Sequence, residues 1–131
     1  MELLFALLIK HAICDLALQR WHGWEGIGPK YRYFNPKAQK HYLEHGFGTL
    51  IVFLVFTDPY IALCAALFDW FCHWHIDMLK SNINKICNWR EKNQGFWVLV
   101  TIDQILHYAT YMALYYFYVQ YSFLSTTFIG V

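Results

Sequence analysis

The stretch Asp69-Trp70-Phe71-Cys72-His73-Trp74-His75-Ile76-Asp77-Met78-Leu79-Lys80 closes an apolar run that opens near Tyr60. Its composition predicts the last three turns of a helix. Residues four apart share a helix face, so Asp69, His73 and Asp77 form one column of ligand-type side chains. His75 lies off that column, at about 100° per residue from His73, and reads as a histidine that packs or supports a ligand. Three ionisable groups on one face of an apolar helix are costly unless something pairs with them.

Working outward, the 131 residues suffice for one domain. They are 58% apolar, 21% aromatic and only 15% charged, where a soluble domain carries about a quarter charged residues. Long stretches carry almost no charge, which points to a small polytopic membrane protein. The net charge of +1 gives no reason to expect nucleic acid as a partner. Cys14, Cys64, Cys72 and Cys87 form no CxxC pair and read as small hydrophobes or free thiols. Met1 to Leu18 is apolar, but Glu2 stands where a signal peptide has basic residues, and Lys10, His11 and Asp15 interrupt it. It reads as a first membrane helix.

The expected architecture is an all-α, integral membrane four-helix bundle in a single domain spanning 1–131, with spans at about 2–19, 40–57, 60–80 and 96–121. The segment 20–40 carries Gly23, Gly26, Gly28, Pro29 and Pro36 among interfacial aromatics and reads as a loop. The asparagine-rich segment 81–95 reads as a second loop, and Thr57-Asp58-Pro59 as a tight break. Apart from Lys10, every lysine and arginine lies in or beside those two loops. The positive-inside rule then places both loops in the cytoplasm and both termini outside, as in a bacterial inner membrane.

Each expected helix offers a same-face pair of ionisable residues. The first has His11, Asp15 and Gln19; the second His41 and His45; the third Asp69, His73 and Asp77; the fourth Asp103, Gln104 and His107. At about 1.5 Å rise per residue, all lie within roughly 18 Å of the cytoplasmic helix ends. Scattered polar residues have little reason to share a layer. Three readings compete for it: a site for one or two divalent metal ions, a proton or ion path, and a set of His–Asp hydrogen bonds that staples the helices. The metal site is favoured, because eight buried ionisable groups are a large cost for stapling alone. Its candidate ligands are His11, Asp15, His45, Asp69, His73, Asp77, Asp103 and His107. His41, at the helix mouth, is either ligand or surface, and the deeper His45 is preferred. Gln19, Gln104, His75 and Lys80 are candidates to contact substrate or to support a ligand, and His22 reads as a solvated loop residue.

The patterns His11-x3-Asp15-x3-Gln19, His73-x3-Asp77-x2-Lys80 and Asp103-Gln104-x2-His107 occur in that order along nearly the whole chain. In them the protein resembles a family of small polytopic membrane proteins of bacteria and phages known only as a domain of unknown function. The resemblance implies a membrane location and treats these residues as a unit, without supplying an activity. A looser similarity to bacterial membrane-bound metal-dependent hydrolases is analogy.

The leading functional expectation is a membrane-embedded metal-dependent hydrolase, its ion zinc, iron or manganese. The ion would lower the pKa of a bound water and polarise a carbonyl or phosphoryl oxygen, with Asp69 or Asp103 as general base. A site near the interface suits a lipid phosphate or ester. Arg20, Lys30, Arg32, Lys80 and Lys85 either attract an anionic head group or only set topology. No G-x-S-x-G, P-loop or dinucleotide fingerprint occurs, so serine and nucleotide chemistry are poor fits. An iron-dependent membrane oxidase uses the same ligand types. The rival class is a non-enzymatic membrane protein: an ion or small-solute transporter, for which 131 residues make a thin pore without a homo-oligomer, or a phage-type effector. The expected partners are membrane lipid and further copies of the chain.

Overall fold

The computed structural model describes residues 1–18, 21 and 30–129. Among them the chain forms four helices and no strand. Helix α1 (Glu2–Ala12) runs directly into a π-helical segment (Ile13–Leu18). Helices α2 (Pro36–Leu54), α3 (Pro59–Ile86) and α4 (Gln94–Ile129) follow.

The caps follow from local sequence. Asn35 accepts a hydrogen bond from the Lys37 amide at 3.0 Å, with Pro36 as the first helical residue. Asp58 accepts from the amides of Tyr60 and Ile61 at 2.9 and 3.1 Å, ahead of Pro59. Both use a short polar side chain to satisfy orphan amides, and a proline where no amide is needed. The Tyr121 hydroxyl also donates to Asp58 at 2.7 Å and, with the two amides, holds its carboxyl below the ordinary range. Helix α3 stops at Asn88, whose φ of 52° is left-handed, a conformation asparagine tolerates at a helix end.

Three boundaries differ from the expected ones. Helix α2 opens at Pro36 rather than Lys40, because Asn35-Pro36 is itself the cap. Helix α3 continues past Lys80 to Ile86, shrinking the second loop to 87–93. Asn82, expected in the loop, bonds to the Met78 carbonyl one turn back at 2.9 Å, and Lys85 lies 3.9 Å from the centroid of the Tyr31 ring. Helix α4 continues past Tyr121 to Ile129.

Helices α1 and α4 run antiparallel. The Met1 ammonium donates to the Tyr115 hydroxyl at 3.2 Å, and His11 meets Gln104 at 3.3 Å. Helices α2 and α3 form a tight hairpin. A Cβ on Gly46 would come within 3.0 Å of the Ala66 carbonyl oxygen and the Trp70 Cβ. Gly48 serves the other side of α2, where a Cβ would come within 2.7 Å of the Lys10 Cγ.

The interior is layered. Leu3, Leu7, Phe53, Ala62, Ala65, Tyr111 and Leu114 form an apolar core at one end, and Ala38, Tyr42 and Trp74 a smaller one at the other. Between them lies a polar layer in which Lys10, His11, His41, His45, Thr49, Asp69, His73, Asp77, Asp103 and His107 are all buried. Large apolar side chains face outward instead, among them Phe5, Leu16, Phe47, Ile51, Leu67, Phe71 and Ile105. Among the described residues, no helix is long and apolar enough to cross a membrane. The expected four spans are therefore not found helix by helix. The helices are diluted by their inward faces: α3 alone carries Asp69, His73, Asp77 and Lys80.

One ion pair and its two hydroxyl partners tie all four helices together. The Lys10 ammonium donates to Asp69 at 2.7 Å and to the Tyr111 hydroxyl at 3.1 Å, and Thr49 donates to the same Asp69 oxygen at 2.6 Å. Removing one partner of a buried pair costs about 3–5 kcal/mol, whereas replacing both by apolar groups is near neutral. Lys10→Met should therefore lower the thermal unfolding midpoint of the purified protein sharply, and Lys10→Met/Asp69→Leu should recover most of the loss. Gly48→Ala should also destabilise, by about 1–3 kcal/mol of overpacking against Lys10, although glycine-to-alanine inside a helix ordinarily stabilises. A raised midpoint for Gly48→Ala would show that Lys10 does not cross α2 at this point.

Candidate metal centre

Each helix delivers its pair to one place. His41 and His45 stand one turn apart on α2, His73 and Asp77 on α3, and Asp103 and His107 on α4. On the first helix His11 lies in the last turn of the α-helical part, and Asp15 sits in the π-helical segment. A π turn widens the helix locally and is frequent at functional sites; here it presents Asp15 to histidines of two other helices, α2 and α3.

Asp15 is the hub. Its Oδ1 lies 3.1 Å from His45 Nε2, 3.4 Å from His41 Nε2 and 3.9 Å from His73 Nε2, and its Oδ2 lies 3.3 Å from His11 Nε2. His73 Nε2 is 3.7 Å and His41 Nε2 3.8 Å from Asp77 Oδ2. The rings of His45 and His73 stack at 3.5 Å, and those of His73 and His107 lie 4.2 Å apart. Two sets of possible ligands result, Asp15-His41-His45-His73 and His73-Asp77-His107, each with one donor atom per residue and all donors within 4.8 Å of one another. They share His73.

The spacing has chemical content. Good N–H···O bonds span about 2.7–3.2 Å, and most of these separations are longer. Donors each ~2.1 Å from one tetrahedral ion stand ~3.4 Å apart. The polar atoms carry the same mark: His41 Nδ1 and Nε2, His45 Nδ1, His73 Nδ1 and Nε2, and His107 Nε2 are buried and make no hydrogen bond among the described residues. Buried polar atoms are ordinarily paired. His107 Nδ1 donates to the Asp103 carbonyl at 2.8 Å. A carbonyl only accepts, so this bond leaves the Nε2 lone pair free, the tautomer a metal ligand needs.

The lysines divide the carboxylates. Lys10 engages Asp69, as described above. Lys80 donates to Asp103 at 2.7 Å and pairs with Asp77 at 3.2 Å, and Lys30 also pairs with Asp77. Asp15 contacts no lysine among the described residues; its partners are histidines. The first set is therefore the better cation site, because the Asp77 side of the second is already neutralised by ammonium groups.

Of the eight expected ligands, Asp15, His45, His73, Asp77 and His107 fall in the two sets. His11 borders them but is hydrogen-bonded at both nitrogens, accepting from the Tyr111 hydroxyl at 3.0 Å and facing Gln104 at 3.3 Å. Asp69 and Asp103, expected as ligands and general bases, lie outside both sets and are held by Lys10 and Lys80. Gln104 contacts His11, and Lys80 bridges two aspartates. His75 turns away, with Nδ1 on the Phe71 carbonyl at 2.7 Å. Gln19 and His22 lie outside the described residues. Sequence reasoning set His41 behind His45, although the one-turn spacing of the two was the available signal. It also missed the roles of Lys10, Thr49 and Tyr111. A lone lysine beside His11 in an apolar helix was the clue to the Lys10–Asp69 pair.

No curated protein and no solved structure gives a match. The family model described as protein of unknown function DUF3307 matches residues 3–130, nearly the whole chain, and the protein belongs to that family.

Proposed function

We propose that the protein is a membrane-embedded, metal-dependent hydrolase acting on a lipid-like or head-group substrate. The observation that carries the metal site is the convergence of Asp15, His41, His45 and His73 at ion-sharing distances, with several ring nitrogens buried and unbonded among the described residues. Three imidazoles and a carboxylate suit zinc, iron or manganese. When bound, the ion supplies a water of lowered pKa and a Lewis acid. A second ion would take His73, Asp77 and His107. The lysine-bound Asp69 and Asp103 hold Lys10 and Lys80 in place, and the partly exposed Asp15 is the carboxylate best placed to meet both the ion and an incoming substrate.

Support for the membrane setting comes from the inversion of polarity. Ionisable groups fill the middle of the bundle while Phe5, Leu16, Phe47, Leu67 and Ile105 face out. In water this exterior would be an apolar surface far larger than monomers tolerate; in lipid it is the expected one. The helices fall short of a span one by one, but as a bundle they hide their charges from the surroundings. The clustering of lysine and arginine near 20–40 and 80–92 supports placing both loops in the cytoplasm and both termini outside.

Metal content measured by mass spectrometry on detergent-purified protein should show one or two equivalents of a transition metal. Asp15→Asn and His41→Ala should each lower it by about tenfold or more, Asp77→Asn should lower it where a second ion is bound, and Asp69→Asn should leave it intact. Full metal content in Asp15→Asn would refute the ligand assignment. A zero that persists after metal is offered would leave the connected series Lys10, Tyr111, His11 and Asp15 as a proton path, to be tested by flux in liposomes.

The topology has its own check. Cys87 is exposed at the end of α3. In a variant lacking the other three cysteines, a membrane-impermeant maleimide should label Cys87 in inside-out vesicles and not in intact cells. Labelling from outside the cell would reverse the orientation.

A further inference from the structure

A cavity of about 630 Å³ lies between α1 with its π-helical extension and α4. Its size is that of a small-molecule site. Leu4, Leu8, Ala12 and Leu16 line one wall at one-turn intervals, and Val100, Gln104, Tyr108 and Met112 the other. Because the helices are antiparallel, Leu4 faces the Met112 end and Leu16 the Val100 end. Its outer edge is open, since Leu16 and Met112 are 73% and 54% exposed. Its polar floor is His11, Asp15 and Gln104. Asp15 thus belongs both to this floor and to the candidate ion site.

Resting on the hydrolase reading, we infer that this groove receives one hydrocarbon chain of a membrane lipid from the side. The chain lies along Leu8 and Tyr108 toward Leu4 and Met112, and the linkage to the polar head lies over Asp15. Three features select this occupant. The walls are almost wholly apolar for about 10 Å from His11 to Leu4, which suits a chain without polar groups. The polar floor sits at one place along the groove, as a chain joined to a head requires. The open edge continues into the apolar exterior, so a lipid reaches the floor without crossing a polar surface. A peptide or a sugar would leave its own polar groups unpaired along the Leu4–Leu8 wall.

The test uses the full chain in vesicles of phosphatidylethanolamine and phosphatidylglycerol, with a trace of phosphatidylglycerol bearing a diazirine at mid-chain. After irradiation, adducts are mapped by peptide mass spectrometry, and metal is measured on the same samples. Adducts on Leu8 and Met112 should exceed those on Ile51 and Leu67, which are exposed on other faces, by several-fold. Val100→Trp and Ala12→Phe, which fill the groove and replace no candidate ligand, should each remove that excess and keep the metal. Even labelling of all outer faces in the unaltered chain overturns the inference, whether or not the variants fold, as does an excess that survives both fillings. Groove labelling without metal would keep the lipid site and discard the hydrolase; metal with even labelling would do the reverse.

Discussion

The structure depends on how it handles charge in its interior. Ten polar or ionisable side chains are buried between two small apolar cores. Isolated, each ionised group would cost several kcal/mol. The bundle answers with two devices. At Asp69, Asp77 and Asp103 each carboxylate meets an ammonium group, from Lys10, from Lys30 and Lys80, and from Lys80. At Asp15 it surrounds the carboxylate with imidazoles instead. The first device is self-contained. The second leaves ring nitrogens without partners among the described residues, and that asymmetry separates the part of the layer that holds the helices together from the part suited to a cation.

Backbone geometry makes the second device possible. Asp15 reaches histidines from α2 and α3 because the first helix loosens into a π turn one residue after Ala12. Lys10 reaches Asp69 because Gly48 leaves room for its stem to cross α2. Gly46, two residues earlier and on the opposite side of the same helix, lets α3 close in, so that His41 and His45 stand against His73. Two glycines and one widened turn therefore set the depth at which the polar faces meet. A uniform helix at position 15 would hold the His11–Asp15 pair on one stripe without turning the carboxylate toward three partners.

Much of this was legible in the sequence. The column Asp69-His73-Asp77 announced a helix with an inward polar face, and the same one-turn spacing in the other helices announced a shared layer. Four helices and the Asp58-Pro59 break follow from caps and apolar runs. What the spacing could not reveal was which aspartate faces a lysine and which faces histidines. That choice is made by helix rotation and by residues far apart in the chain, such as Lys10 and Asp69. Depth counted from Lys40 sets His41 at the helix mouth, whereas Asn35-Pro36 starts the helix a turn earlier and puts His41 well inside. The run-on of α3 to Ile86 was hidden by its asparagines, of which Asn82 bonds back to its own helix, a choice the local preference of asparagine for turns does not foretell.

The exterior and the interior make opposite demands on the same helices, and α1 shows how they are reconciled. Its inward side carries Lys10 and His11, both buried, while Phe5 and Ile9 stand exposed on the outside. At 11 residues such a helix is too short to be a membrane span by itself, and its Lys10 and His11 are covered only once the four helices are together. Assembly must then precede or accompany burial, because a lone α1 would carry an unpaired ammonium. The Lys10–Asp69 pair joins the first helix to the third across 59 residues of chain, so the polar layer is complete only when the whole bundle is. An ion held by Asp15, His41, His45 and His73 would bind the same helices once more. Metal loading and helix association would then be coupled through one set of side chains, since binding to the assembled bundle alone would stabilise it by mass action.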